Sequence, residues 1–119
     1  MESFDRTDRV GDEIKRIVGT LIEREVKDPR VGFVTVTGVK VARDFSVATI
    51  YVTVGETEDL EETLAGLRAA SGFIRKRLGE NVKLRNTPEL RFIYDSSVDR
   101  GFRMDALLKQ LADERDVSS

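Results

Sequence analysis

The spacing of apolar positions changes period along the chain, and each change marks an element boundary. Val10, Ile14, Ile17, Val18, Leu21, Ile22 and Val26 recur at offsets of three, four and seven, which predicts an amphipathic helix over about residues 7–27. Ser3 or Thr7 would cap its start. Asp28-Pro29 would end it, because the residue before proline disfavours helix. The pattern then switches to alternation, and Phe33 to Val41 and Val47 to Val54 read as β-branched strands. In the first of these, Val34 and Val36 are even-numbered whereas Val39 and Val41 are odd. One extra residue at Thr37-Gly38 would return all four to one face, so a β-bulge is expected there. Arg43, Asp44, Phe45 and Ser46 form a link of hairpin length, so the two strands should pair antiparallel.

A second helical pattern follows, with Leu60, Leu64, Leu67, Ser71, Ile74 and Leu78 at spacings of four and three. Thr57 is the expected cap, and Glu58, Asp59, Glu61 and Glu62 sit where the helix dipole favours acids. Arg75, Lys76 and Arg77 lie toward the other end, where it favours cations. Midway, Ala69, Ala70, Ser71 and Gly72 interrupt the pattern with four small residues. Gly alone costs about 1 kcal/mol against Ala inside a helix. Such a notch predicts a bend or the close approach of another group. After Thr87-Pro88, Leu90, Phe92 and Tyr94 alternate as a third strand. Asp95, Ser96 or Ser97 would cap a last helix with Val98, Phe102, Leu107, Leu108 and Leu111 inward. The organisation expected is one domain over residues 5–111, a flexible start at 1–4 and a disordered tail at 112–119.

Composition narrows the chemistry. The 119 residues contain no Cys, which excludes thiol nucleophiles, thiolate metal sites and disulfides. They contain no His, which removes the commonest neutral-pH base and metal ligand. Catalysis would have to rest on paired carboxylates, a Ser–Lys pair or carboxylate-bound magnesium. Most enzyme designs are thereby removed, and no cofactor or metal is expected. No apolar run approaches the roughly 18 residues of a membrane span, and the first ten residues lack a signal-peptide core, so a cytoplasmic location is expected.

The net charge of −2 conceals a polarised chain. Residues 56–62 carry five acids and no base, whereas residues 68–91 carry seven cations against two acids, a net of +5. A compact cationic stretch on an acidic chain suits a specific polyanion site, although a solvated helix and loop face gives the same count.

The predicted order, α-β-β-α-kink-α-β-α, describes an α+β fold with helices on one face of a three-stranded sheet. It is the type II KH topology. A KH domain clamps the nucleic-acid backbone with a GXXG loop between two helices. Here no two glycines lie three apart, and Ala70-Ser71-Gly72 stands at that place. With this motif the chain resembles the ribosome-binding factor A family over residues 6–111. The resemblance includes Arg6-X-X-Arg9-Val10, Glu25-Val26-Lys27-Asp28-Pro29-Arg30-Val31, Val34-Thr35-Val36-Thr37 and Arg43-Asp44. It continues through Ala70-Ser71-Gly72-Phe73-Ile74-Arg75 and Leu84-Arg85-X-X-Pro88-Glu89-Leu90-X-Phe92-X-Tyr94-Asp95-X-Ser97. Gly38 departs from it, standing where a polar strand residue is expected.

The resemblance implies a non-enzymatic bacterial assembly factor. Such a protein binds the free small (30S) ribosomal subunit and its 16S rRNA, assists late rRNA processing and supports growth at low temperature. A monomer is expected, with no membrane and no small-molecule substrate. A small dimerising or ligand-binding regulatory module remains the alternative. The RNA contacts expected are Arg75, Lys76 and Arg77 on one concave surface, then Lys83, Arg85 and Arg43, with Ser71 donating to phosphate. Each has a structural counterpart. Ala70 and Gly72 could serve tight packing, Ser71 could be a buried hydrogen-bonded hydroxyl, and Arg85 could pair with Glu89 or Asp95. Phe45 and Phe73 could stack on bases or fill the core.

Overall fold

The computed structural model describes residues 6–97. Helix α1 spans Arg6–Arg24, with Val10, Ile14, Ile17, Val18, Leu21 and Ile22 buried along one stripe. Thr7 lies inside this helix and does not cap it, and Ser3 lies outside the described residues. The helix ends three residues before the predicted boundary. The amides of Glu25 and Val26 both donate to Leu21 O, at 2.8 and 3.1 Å. Beyond them Asp28 builds a turn of its own: its Oδ1 accepts from Arg30 N at 2.9 Å, and its carbonyl accepts from Val31 N at 2.9 Å. That turn needs a non-helical Asp28, so it halts the helix before proline does.

Strand β1 spans Val34–Val41 and β2 Val47–Val54, paired antiparallel. The register slips between Val36 and Gly38, at the expected bulge. Val34 and Val36 therefore stand opposite Val54 and Val52, while Val39 and Val41 stand opposite Ile50 and Ala48. The phase change in the sequence is thus absorbed by one residue, and the apolar side chains stay on one face. Helix α2 spans Leu60–Ala69 and α3 Ser71–Asn81, and strand β3, Glu89–Tyr94, pairs parallel with β2. The sheet order is β1-β2-β3. The described order α-β-β-α-α-β is the KH-like α+β arrangement that the sequence predicts. The predicted last helix, with Val98, Phe102, Leu107, Leu108 and Leu111, lies outside the described residues. At its expected start, Asp95 Oδ1 accepts from Ser97 N at 2.9 Å.

One sheet face meets the helices. Val36, Val41, Ala48, Ile50, Val52, Leu90 and Phe92 join the α1 stripe and Leu67, Ile74 and Leu78 in a continuous core. Helix α1 comes close enough that a Cβ on Gly11 would stand 3.1 Å from Val39 O. Residues on the other face, such as Thr35, Lys40, Arg91 and Ile93, are exposed. No helix among the described residues is long and apolar enough to cross a membrane.

The cap of α2 is Asp59, whose Oδ1 accepts from Glu62 N at 3.0 Å, and not Thr57. The helix starts later than its acidic run suggests, which frees Glu58 to accept from Phe33 N at 3.2 Å. Glu61 and Glu62 remain in the first turn, where the dipole favours them.

This packing yields two predictions. Thr63 in α2 is fully buried and its Oγ1 has no hydrogen-bond partner among the described residues. Replacing Thr63 with Val should raise the unfolding free energy by about 1 kcal/mol, read as a rise of about 4 °C in Tm. A fall in Tm would mean that the hydroxyl is satisfied. In the turn, the side-chain and backbone hydrogen bonds from Arg30 lower the Asp28 carboxyl from 3.8 to about 2. Because the folded-state value is the lower one, the turn's contribution is complete above pH 3.8 and is lost as pH falls toward about 2. Arg30→Ala should return the Asp28 midpoint toward 3.8 in a carboxyl-carbon NMR titration.

Candidate nucleic-acid interface

The break between α2 and α3 is one residue wide. Ala70, at φ −86° and ψ −3°, closes α2 by donating its amide to Gly66 O at 3.0 Å. It opens α3 by accepting from Ile74 N at 2.9 Å. Ser71 is half-buried and its hydroxyl donates to Arg68 O at 2.8 Å. Among the described residues no side chain caps α3, so no side chain occupies its first-turn amides or the positive end of its dipole. Ala70 packs partly against the core, but Gly72 does not: it is exposed, and a Cβ there would meet nothing within 4 Å. Tight packing therefore accounts for Ala70 and leaves Gly72 facing open space.

The same break changes the meaning of the cationic run. In an unbroken helix Arg75, Lys76 and Arg77 would lie toward the C-terminal end, as the sequence pattern suggests. In α3 they are instead the fifth to seventh of 11 residues, and the last turn contains no base. The helix dipole does not explain them.

Nor do the three form a single ridge. Successive helical residues are turned by about 100°, which sends Arg75 and Arg77 to opposite flanks. Arg77 reaches α1's end, where Nε donates to Glu25 Oε1 at 3.0 Å, and it also bonds Glu80 on its own helix. The Glu25 and Glu80 carboxylates raise its pKa above the ordinary guanidinium value. Arg75 turns the other way. Its Nη2 donates to Thr87 O at 2.7 Å and its Nε to Thr87 O and Pro88 O at 3.1 and 3.2 Å. These acceptors are neutral, so Arg75 binds the loop 82–88 to α3 and keeps its full charge. Lys76 lies exposed between the two flanks.

The loop is pinned again at Gly79, where a Cβ would stand 2.7 Å from Thr87 Oγ1. Val82 is buried and Leu84 half-buried, which leaves Lys83 and Arg85 exposed on the alternate positions. Two hollows open beside it. The first, about 460 Å³, is lined by Arg6, Asp44, Phe45, Ser46, Arg75 and residues 84–87. The second, about 300 Å³, is lined by Gly72, Arg75, Lys76, Gly79, Asn86 and Thr87. They share Arg75, Asn86 and Thr87, so they form one winding surface from the β1–β2 hairpin to the start of α3.

Three of the six sequence-predicted cations, Arg75, Lys76 and Arg85, line this surface. Arg85 lines the first hollow, while Lys83 and Arg43 line neither. The carboxylates that could have neutralised Arg85 are used elsewhere. Glu89 lies 3.7 Å from Arg91, and Asp95 accepts from Thr37 Oγ1 at 2.6 Å and from Ser97 N. Among the described residues, Arg43, Arg75, Lys76, Lys83 and Arg85 have no carboxylate partner within 4.0 Å. Nor do three acids gather among these residues to hold a metal ion.

Two features escaped the sequence reading. Arg6 places its guanidinium 5.2 Å from the centre of the Phe45 ring, and Phe45 adopts the left-handed φ of 60°. The turn is held by Phe45 N donating to Ala42 O at 2.8 Å. Asp44 Oδ1 also accepts from Ser46 N and Oγ at 3.0 and 2.6 Å. Those two bonds lower the Asp44 pKa. Phe45 is half-buried against the core, whereas Phe73 is 45% exposed in a separate hollow with Ala70, Val26 and Pro29.

Comparison with known proteins agrees with this fold. The family model described as ribosome-binding factor A matches residues 6–108. The crystal structure of ribosome-binding factor A from Thermus thermophilus is 27% identical, with a TM-score of 0.69, over 74% of this chain and 93% of that one. A solution NMR structure of a Thermotoga maritima protein assigned to ribosome-binding factor A is 31% identical, with a TM-score of 0.71, over 82% and 93%. A Thermus thermophilus ribosome-binding factor A homology model, fitted into a cryo-EM map of a 30S complex, is 28% identical. It has a TM-score of 0.62 over 72% of this chain and 91% of that one.

If Arg75 is the strap that shapes both hollows, Arg75→Met should loosen the loop without unfolding the core. Amide exchange at Lys83 to Thr87 should accelerate about tenfold or more, while exchange at Ile50 and Phe92 stays slow. Unchanged protection in the loop would show that other contacts hold it.

Proposed function

The chain belongs to the ribosome-binding factor A family, and on that premise we propose that it binds the free small ribosomal subunit as a monomer. It contacts 16S rRNA there, without catalysing a reaction, and assists late processing of that RNA, including at low temperature. The observation that carries this reading is the set of cations without carboxylate partners around the joined hollows. An unneutralised cation costs self-repulsion, and three of them, Arg75, Lys76 and Arg85, on one surface favour a polyanion that brings several phosphates at once. The open first turn of α3 adds backbone N–H donors and a favourable dipole beside Gly72. In this reading Lys76, Lys83, Arg85 and Arg43 meet phosphates, with Arg75 shared between loop and RNA. Ser71 contributes through the break it stabilises. Arg77, already held by Glu25 and Glu80, has the least to offer RNA.

Co-sedimentation with free small subunits tests this. Four or five phosphate contacts should cost about a hundredfold in affinity between about 50 and 200 mM salt. Lys76→Glu with Arg85→Glu should abolish pelleting with the circular dichroism spectrum unchanged. Arg77→Gln should pellet nearly as the unaltered chain does, with little change in Tm. Pelleting that ignores both salt and the double reversal would overturn the assignment. For the cellular role, loss of the protein should lead to accumulation of 16S precursor and slow growth most strongly in the cold.

A further inference from the structure

The larger hollow has more structure than a phosphate patch needs. Its lining holds two guanidiniums, Arg75 and Arg85, with no carboxylate partner among the described residues. Arg75 is fixed by its bonds to Thr87 O and Pro88 O, which use Nε and Nη2 and leave Nη1 for another acceptor. The same lining holds a platform, the Arg6 guanidinium over the Phe45 ring at 5.2 Å. The ring is held there by a backbone conformation that is a genuine outlier for a bulky residue. Asp44, also in the lining, keeps Oδ2 as an acceptor, since Ser46 uses only Oδ1. Asn86 adds an amide to the lining. The volume, about 460 Å³, lies within the roughly 300–1,000 Å³ typical of small-molecule clefts.

We propose that this cleft holds one unstacked ribonucleotide of the bound RNA, with its phosphate on Arg75 and Arg85 and its base on the Arg6–Phe45 platform. A guanidinium plane stacks on a base as readily as on an aromatic ring, so Arg6 becomes the middle layer between Phe45 and the base. Asp44 Oδ2 accepts from an N–H on the edge of that base. The occupant is part of a strand because the second hollow continues from Arg75 past Lys76 to Gly72, a path for the next phosphates. This subsite rests on the RNA-binding reading above and adds to it a base-sized recess.

The test is an NMR titration of the isotopically labelled full chain. The probes are inorganic phosphate, ribonucleoside 5′-monophosphates, and a 5′-phosphorylated trinucleotide. A 5′-monophosphate should bind at least about fivefold more tightly than inorganic phosphate, the low end of what stacking one base contributes. It should shift the Arg6, Phe45 and Arg85 signals. The trinucleotide should bind more tightly again and also move Gly72 and Lys76. In Arg6→Ala, a 5′-monophosphate should bind no more tightly than inorganic phosphate binds to the same variant. Equal affinity for phosphate and monophosphate in the unaltered chain would overturn the subsite, as would a monophosphate binding as tightly as the trinucleotide. If the chain still pellets with small subunits in either case, only the subsite falls. If it does not pellet, the ribosome reading falls with it.

Discussion

Three hydrogen bonds from one guanidinium set the shape of the cationic surface. Arg75 donates to the carbonyls of Thr87 and Pro88, and carbonyl acceptors bind a cation without cancelling its charge. The contact draws the loop 82–88 against α3, and Gly79 allows the approach because a side chain there would collide with Thr87. Both hollows take a wall from this seam. A carboxylate in place of the carbonyls would hold the loop as firmly and neutralise the charge at the point where the hollows meet. The chain therefore separates two uses of arginine, as strap and as ion-pair partner, between residues only two positions apart.

Arg77 shows the other use. It joins α3 to the end of α1 through Glu25 and is paired a second time by Glu80. Exposed pairs of this kind contribute little to stability individually, but they determine where positive charge is left over. The acidic run is similarly occupied, with Asp59 capping α2, Glu58 on the Phe33 amide and Glu61 and Glu62 at the dipole's positive end. Acids are spent on local structure and on one flank of α3. The opposite flank keeps its charge, and a chain of net charge −2 presents a cationic face.

What the sequence made legible was whatever depends on period. The bulge could be read because a single residue shifts every later side chain to the other face, and Val34, Val36, Val39 and Val41 record that shift. The break at Ala70 could be read because four small residues interrupt a stripe that is otherwise regular. Helix ends were less legible: Asp28 and Asp59 act through side-chain bonds to nearby amides, and several residues nearby have the same capacity. The division of labour within Arg75, Lys76 and Arg77 was not legible at all. It depends on partners far away in the chain, Glu25 on one side and Thr87 on the other, and on a break that moves the helix start to Ser71. The Arg6–Phe45 stack was hidden for the same reason, since no periodicity links the start of α1 to a hairpin turn.

Gly72 ties the break between α2 and α3 to the cationic surface. A glycine usually stands where a side chain would collide or where the backbone turns left-handed, and neither holds here. Its φ is not positive, and none of the described residues lies within 4 Å of where a Cβ would be. Alanine would fit and would favour the helix by up to about 1 kcal/mol. The chain forgoes that stability at the second residue of α3, beside uncapped amides and on the wall shared with Arg75 and Lys76. No contact within the described residues requires the space to stay empty. The residue makes sense as room for something that comes from outside, close enough to the helix start that one methyl group matters. A sugar–phosphate backbone running along the cations meets that description, and it is a partner that a bare helix terminus can recognise.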